Sequence, residues 1–375
     1  MTSPDMALAA PARGSVGNRI VTFAVMLGAL LAFLWIAEKV MEAGYVRRDI
    51  VALQSGDAWR HGGWLSQIVL TLVGLLPGEK LQDVVLSLTS AAAAGVAMGL
   101  LYHRLRATGW IAIGALFLVA ALGGNALVLY SVTAASRSIP IFVALAALIP
   151  AIRALESVGD VQAAISLGLT MPLLLLAGPA TAPLIVPLAI ASALADPDGR
   201  HDPRAFVAMV LVAVLPSIIV GIGIVGFAAQ AGLDVRAVLG SYVTGYATDG
   251  VGDWLRALVQ LASFAPVMLV PLAYCVLPSR REPKQIWSAL AVVGLPLYLA
   301  LASVAFPWGL PSWAPIVALL STFSIWLAVA RLSLSLRIAA LVLLLASLAI
   351  SWTNGVFWSD PDWRAGLIHA MPFVR

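Results

Sequence analysis

The residues of this chain that could do chemistry gather in two polar stretches between long apolar runs. The first reads Tyr45-Val46-Arg47-Arg48-Asp49-Ile50 and continues through Asp57, Trp59, His61 and Trp64. The second runs from Asp234-Val235-Arg236 through Tyr242 and Tyr246 to Asp253-Trp254. Arginine presents a planar fork of donors that matches an anion with paired oxygens, so Arg47, Arg48, Arg137 and Arg236 are candidate anion ligands. A carboxylate held at a membrane surface, as Asp49 would be just past an apolar run, is costly unless it is solvated, paired or used. Tyr242, Tyr246 and Trp254 could form a face on which a saccharide stacks, and Trp59 and His61 are placed to contact a sugar in the same way. Each residue also has a plainer reading. Arg47 and Arg48 could pair with Asp49 or with headgroups, Arg137 could anchor a helix start at the interface, and Asp253 could cap the helix that follows it.

Several other chemistries lack their residues. His61, His103, His201 and His369 share no metal-ligand spacing, so no histidine metal site is expected. There is no Gly-x-Ser-x-Gly elbow and no phosphate-cradling Gly-Lys-Ser/Thr loop, which removes support for a serine hydrolase or a nucleotide-driven motor. Cys275 is the single cysteine, so an internal disulfide and a cysteine metal cluster are excluded.

The elements that must position these residues are membrane helices. Of 375 residues, 61% are hydrophobic and 11% charged, against about 25% charged in a soluble domain. Mean hydropathy is +0.99. The net charge of +4 is spread in ones and twos between apolar runs, a pattern that orients membrane helices and builds no nucleic-acid groove. A spanning helix needs about 20 apolar residues. By that rule the chain is all-α, a polytopic bundle of about eleven spans at 20–42, 83–102, 109–130, 137–152, 161–177, 180–195, 205–230, 255–278, 286–306, 313–330 and 336–352. The fifth and sixth are short and separated by Gly178-Pro179, so they could form a hairpin that does not fully cross.

Alternating these spans places Arg13, Arg19, Arg104, Arg106, Arg153, Arg200, Arg204, Arg280, Arg281, Lys284, Arg331 and Arg337 on one side, which the positive-inside rule makes cytoplasmic. The expected organisation is then a disordered cytoplasmic tail over 1–18 and a transmembrane domain over 19–352. Outer loops fall at 43–82 and 231–254, and an outer C-terminal tail at 353–375. The first span lacks a small-residue cleavage site and reads as an uncleaved anchor. Val46, Ile50, Val51 and Leu53 have the spacing of a short helix lying on the membrane. Tryptophans including Trp59, Trp64, Trp254, Trp308, Trp313, Trp352, Trp358 and Trp363 fall near the expected outer interface and serve mainly as boundary markers. Gly123-Gly124, Gly221-x-Gly223 and Gly226 are expected to allow close helix packing.

With these features in place, the chain resembles the C-type glycosyltransferase superfamily, polytopic enzymes that take a sugar from a polyprenyl-phosphate donor outside the membrane. The resemblance rests on an initial span, an outer loop of the form Asp-x-x-x-(apolar)-x-x-Gly from Asp49, a polar-then-apolar segment ending in Leu76-Pro77-Gly78, and a second span ending in Tyr102-His103-Arg104-Leu105-Arg106. It extends loosely through Asn125 to Ala195 and to the second outer loop. It implies a membrane glycosyltransferase of polysaccharide or glycolipid assembly in the plasma membrane of a bacterium (its inner membrane), with a cytoplasmic N-terminus. Its partners would be a polyprenyl-phosphate sugar, a glycan or lipid acceptor on the outer leaflet or in the periplasm, and membrane lipids; nucleic acid and a cofactor are not expected. By the same resemblance Asp49 is the general base or positions donor and acceptor, with Asp57 the other candidate base, and the four arginines hold the departing phosphate. Family members often carry a second acidic residue beside the first. Ile50 stands there here, which points away from a metal-assisted version. The other readings are a lipid-linked-sugar flippase or transporter, and a non-catalytic membrane subunit of a polysaccharide synthesis complex. Transport is disfavoured because the apolar runs carry almost no charge inside them and no two halves of the chain match.

Overall fold

The computed structural model describes residues 16–45, 58–107, 110–134, 139, 142–144, 146–148, 161–178, 181–182, 185–195, 202–243, 334–353 and 360–370. Among these residues every regular element is a helix. In chain order they are α1 (Val16–Glu42), α2 (Ala58–Gly74), α3 (Glu79–Ala107), α4 (Ala112–Gly123), α5 (Ala126–Thr133), α6 (Val161–Thr170), α7 (Pro172–Ala177), α8 (Ile185–Ala195), α9 (Pro203–Gln230), α10 (Val235–Val243), α11 (Leu334–Thr353) and α12 (Pro361–Ala370). Three of them, α1, α3 and α9, are long and apolar enough to cross a membrane. The surfaces they leave uncovered are apolar too. Ile20, Phe23, Leu27 and Leu31 form an exposed stripe along α1, and Val207, Leu211, Leu215 and Ile222 form one along α9. In water such stripes would be a liability, whereas against lipid tails they are the expected surface, so the chain is a membrane protein. The expected spans at 255–278, 286–306 and 313–330 and the surface helix near Val46 lie outside the described residues.

The helix ends follow local chemistry. Asp202 caps α9 by accepting from the Arg204 amide at 2.8 Å, and Pro203 occupies the first turn, where its missing N–H costs nothing. Glu79 opens α3 and Arg104 and Arg106 close it, each complementing the helix dipole. α1 ends in a Schellman turn. Gly44 adopts φ 91°, its N–H donates to Met41 O at 2.9 Å, and the Tyr45 N–H donates to Val40 O at 3.4 Å.

α1 and α3 form the most extensive helix pair, and small residues make their approach possible. A Cβ on Gly95 would lie 2.8 Å from the Met26 carbonyl oxygen. The α6–α9 pair is built alike, with a Gly168 Cβ position 2.9 Å from Ala213 O. Of the glycines expected to allow close packing, Gly123 has a Phe33 ring carbon and Gly221 a Leu175 methyl 3.6 Å from its Cβ position, and Gly124 has a Leu348 methyl at 3.8 Å, whereas Gly223 and Gly226 face open space.

Five segments differ from what hydropathy alone suggests. The expected single span at 109–130 stops at Gly123 and resumes at Ala126, because the backbone groups freed at the break are bonded by α11. The Trp352 indole donates to Gly124 O at 3.0 Å, and the Ala126 N–H donates to Ser351 Oγ at 3.0 Å. The stretch 43–82 contains α2, a helix interrupted at Gly63 (φ 74°), and 231–254 contains α10. The C-terminal tail contains α12, and α1 begins at Val16 inside the stretch expected to be disordered.

The α1–α3 contact yields a direct test. Gly95→Ala should lower stability by about 1–3 kcal/mol, since a methyl there meets backbone that cannot step aside. Gly28→Ala, which enters open space on α1, should leave the thermal midpoint of the detergent-purified protein unchanged.

Candidate functional site

Two gatherings of side chains stand out, and each joins segments distant in sequence. The first centres on Trp64, which packs with Ala228 of α9 and Val238 of α10 and meets the Phe227 ring edge-on at 5.7 Å. A Cβ on Gly63 would sit 2.6 Å from the Gly178 amide nitrogen, so the kink of α2 is pressed against the end of α7. Trp64, just past that kink, thus shares a hydrophobic cluster with Val238 of α10, the helix that carries Arg236 and Tyr242. Arg236 is exposed in the first turn of α10, where its amide donates to the capping Asp234 carboxylate at 2.9 Å. Asp49, Asp57, Arg47, Arg48, Arg137 and Tyr246 lie outside the described residues, as do Asp253 and Trp254.

The second gathering was not anticipated from sequence. Asp360 is 3% exposed and serves as the cap of α12, accepting from the Trp363 amide at 3.2 Å. Its other carboxyl oxygen accepts from Tyr130 Oη at 2.9 Å and from Tyr45 Oη at 3.4 Å. Trp363, fully buried, lies edge-on to the Tyr130 ring at 4.9 Å and donates its indole N–H to Thr133 Oγ1 at 2.9 Å. Gly366 completes the contact, since a Cβ there would stand 2.9 Å from Val40 O. The ends of α1 and α5 and the start of α12 are therefore fastened to one another through a single carboxyl group. The sequence does carry a sign of it: Asp360-Pro361 is a helix-start pair, and Trp363, Gly366, Leu367 and Ala370 repeat at helical spacing.

Beside this cluster a groove of about 1030 Å³ runs between α1, α3, α4, α5 and α11. Ala24, Gly28 and Ala32 line it on α1, Leu116 and Ala120 on α4 and Trp352 on α11. From Val21 to Ile36 the α1 lining extends about 22 Å, at 1.5 Å per residue, most of the thickness of a bilayer core. Nearly all of the lining is aliphatic or aromatic. No group of three or more His, Cys, Asp or Glu side chains suited to a metal occurs among the described residues. Comparison with protein-family models, with curated proteins and with solved structures finds no match for this chain.

The Asp360 cluster predicts unequal costs for its members. Trp363→Ala should destabilise by about 3–5 kcal/mol, the range for removing a buried aromatic side chain. Tyr130→Phe, which deletes one hydrogen bond and keeps the ring contact, should cost about 1 kcal/mol, measured by denaturation in matched detergent.

Proposed function

We propose that this protein is a membrane glycosyltransferase that moves a sugar from a polyprenyl-phosphate donor to a glycan or lipid acceptor at the outer face of the membrane. The observation that carries the reading is the groove. A substrate with an isoprenoid tail needs an apolar channel of bilayer depth that leads to polar groups, and the α1–α4–α11 groove has that depth and that lining. One wall of the groove is α1, and the same helix leads to Tyr45 at its end. Asp49 follows four residues later in the sequence. The cluster of Trp64 with Val238 of α10 further supports the reading, because it joins part of the first expected outer loop to part of the second.

In the proposed reaction the acceptor hydroxyl oxygen bonds to the anomeric carbon while the bond from that carbon to the phosphate oxygen breaks. The electron pair leaves with polyprenyl phosphate, and the hydroxyl proton passes to Asp49 or Asp57. Arg47, Arg48, Arg137 and Arg236 are the candidates to hold the phosphate as its charge grows. No metal is assigned a role. By the alternation of spans and the charge rule, the helix ends around Tyr45 and Asp360 face the outer side of a bacterial inner membrane.

Sugar transfer from radiolabelled polyprenyl-phosphate donors, assayed with the protein in lipid nanodiscs, tests the proposal. Asp49→Asn should reduce kcat at least about 100-fold if it is the base. If Asp49→Asn and Asp57→Asn each keep full activity, the catalytic reading is wrong. Gly28→Leu, which projects a side chain into the groove, should raise KM about tenfold for a long-chain donor and leave a short-chain donor unaffected. Movement of intact lipid-linked sugar across the bilayer without transfer would identify a flippase instead.

A further inference from the structure

We propose that the uncovered face of α2 is seated in the acyl chains of the membrane, on the side opposite Arg104 and Arg106, so that part of the stretch expected to be an outer loop is a half-inserted helix. α2 turns one face to the protein and the other away from it. Trp64, Ser66, Leu70 and Val73 are buried, whereas Ile68 is 52% exposed, Leu72 61% and Leu75 78%, a spacing that puts the three on one helix face. Such an apolar row is a liability in water and the ordinary surface of a helix in lipid.

Its depth follows from α3. Arg104 and Arg106 close that helix, and guanidinium groups mark a membrane surface because hydrocarbon is too costly a place to hold them. Counted back from Arg104 at 1.5 Å per residue, Leu86 lies about 27 Å away along the axis, inside a hydrocarbon core of about 30 Å. Any tilt of α3 brings Leu86 deeper still. After the turn at 75–78 the two helices lie against each other, with Leu70 and Val73 of α2 in one cluster with Leu86. Ile68 and Leu72 are therefore at the depth of Leu86 to within about one helical turn. Lys80, about 36 Å from Arg104, reaches the headgroups. α3 is itself bare at this level. Leu81, Val84 and Leu88 are exposed at the spacing of one helix face, so the lipid-facing surface of a spanning helix already extends to α2.

The polar groups of α2 are arranged for the same setting. Thr71 is exposed, yet its hydroxyl donates to Gln67 O at 2.8 Å and accepts from Gln67 Nε2 at 3.4 Å. The last carbonyls of a helix are left without intrahelical partners, and here they find donors close by. Leu72 O accepts from the Leu75 amide at 3.3 Å, Val73 O from the Leu76 amide at 2.9 Å, and Leu76 O from the Gln82 side chain at 2.9 Å. Gly78 O takes the Leu81 and Gln82 amides at 3.2 and 3.3 Å. Water would satisfy these groups in an ordinary loop, whereas in lipid only the protein can.

Single cysteines in a Cys275→Ser background, each carrying a bimane fluorophore, read the surroundings of this face in protein reconstituted into phosphatidylcholine vesicles. Ile68→Cys and Leu72→Cys probe the face, Ile222→Cys on the bare stripe of α9 is the lipid reference, and Lys80→Cys is the water reference. All four positions are exposed, so the thermal midpoint should stay near native. With lipid brominated on its acyl chains, the labels at 68 and 72 should be quenched to within about twofold of the label at 222, and iodide, an ion excluded from hydrocarbon, should quench them at least about fivefold less than the label at 80. Iodide quenching equal to that at position 80 puts the face in water and overturns the inference. Indifference to both quenchers means that protein covers the face, a second copy of the chain included, and overturns it equally. Neither readout requires turnover, so the outcome is independent of whether the protein transfers sugar.

Discussion

A peptide carbonyl or amide left without a partner in hydrocarbon costs several kcal/mol, because no water is present to replace the missing bond. The consequences are visible wherever this chain departs from a straight helix. At Gly124–Asn125 the helical ladder is interrupted, and the free groups are taken by Trp352 and Ser351 from a helix more than 200 positions away in sequence. At Pro172 and Gly178 the break between α6, α7 and α8 is closed by Thr181, whose hydroxyl donates to Leu174 O at 2.7 Å. The first of these interruptions thus binds a distant helix to it, and the second is closed within its own turn.

The same requirement explains why small residues concentrate where helices cross. Lipid tails are as apolar as leucine, so helices gain from contact only when their backbones come close. Gly95 against Met26 and Gly168 against Ala213 are contacts of this kind. Where small residues do not meet a neighbour, they leave room. Gly28, with open space beside it, lines the groove, and Ala24 and Ala32 flank it one turn away on either side. One residue class therefore produces both the tight α1–α3 seam and the adjacent channel, and the difference lies in whether a second helix stands opposite.

The Asp360 cluster adds a polar counterpart. A carboxyl group buried to this degree persists because its oxygens receive several donors. Those donors come from α12 itself, from α5 and from the end of α1, so the polar contact does what apolar packing cannot do: it specifies one relative arrangement of three elements. Trp363 supplies the packing area around it, with its indole N–H satisfied by Thr133 and its ring set against Tyr130. The C-terminal segment is thereby an integral part of the fold at the end where α1 terminates.

What the sequence determined by itself is the solvent. A composition with 11% charged residues and long apolar runs requires a bilayer. The weak points of that reading were equally physical. Hydropathy averages over a window, so it carried one span across Gly124–Asn125, where the break depends on donors from α11. It also read 43–82, 231–254 and the C-terminal tail as connecting segments, although α2, α10 and α12 form there by docking on other helices. Of the proposed site, the residue types were legible, but their company was not. Only the tertiary structure decided that Trp64 would join α2 to α10, and that a tail aspartate would meet Tyr130 and Tyr45 across 230 and 315 positions of chain. Hydrogen bonds over such separations leave no period in a sequence, because they are set by how helices pack and not by what lies next to them in the chain.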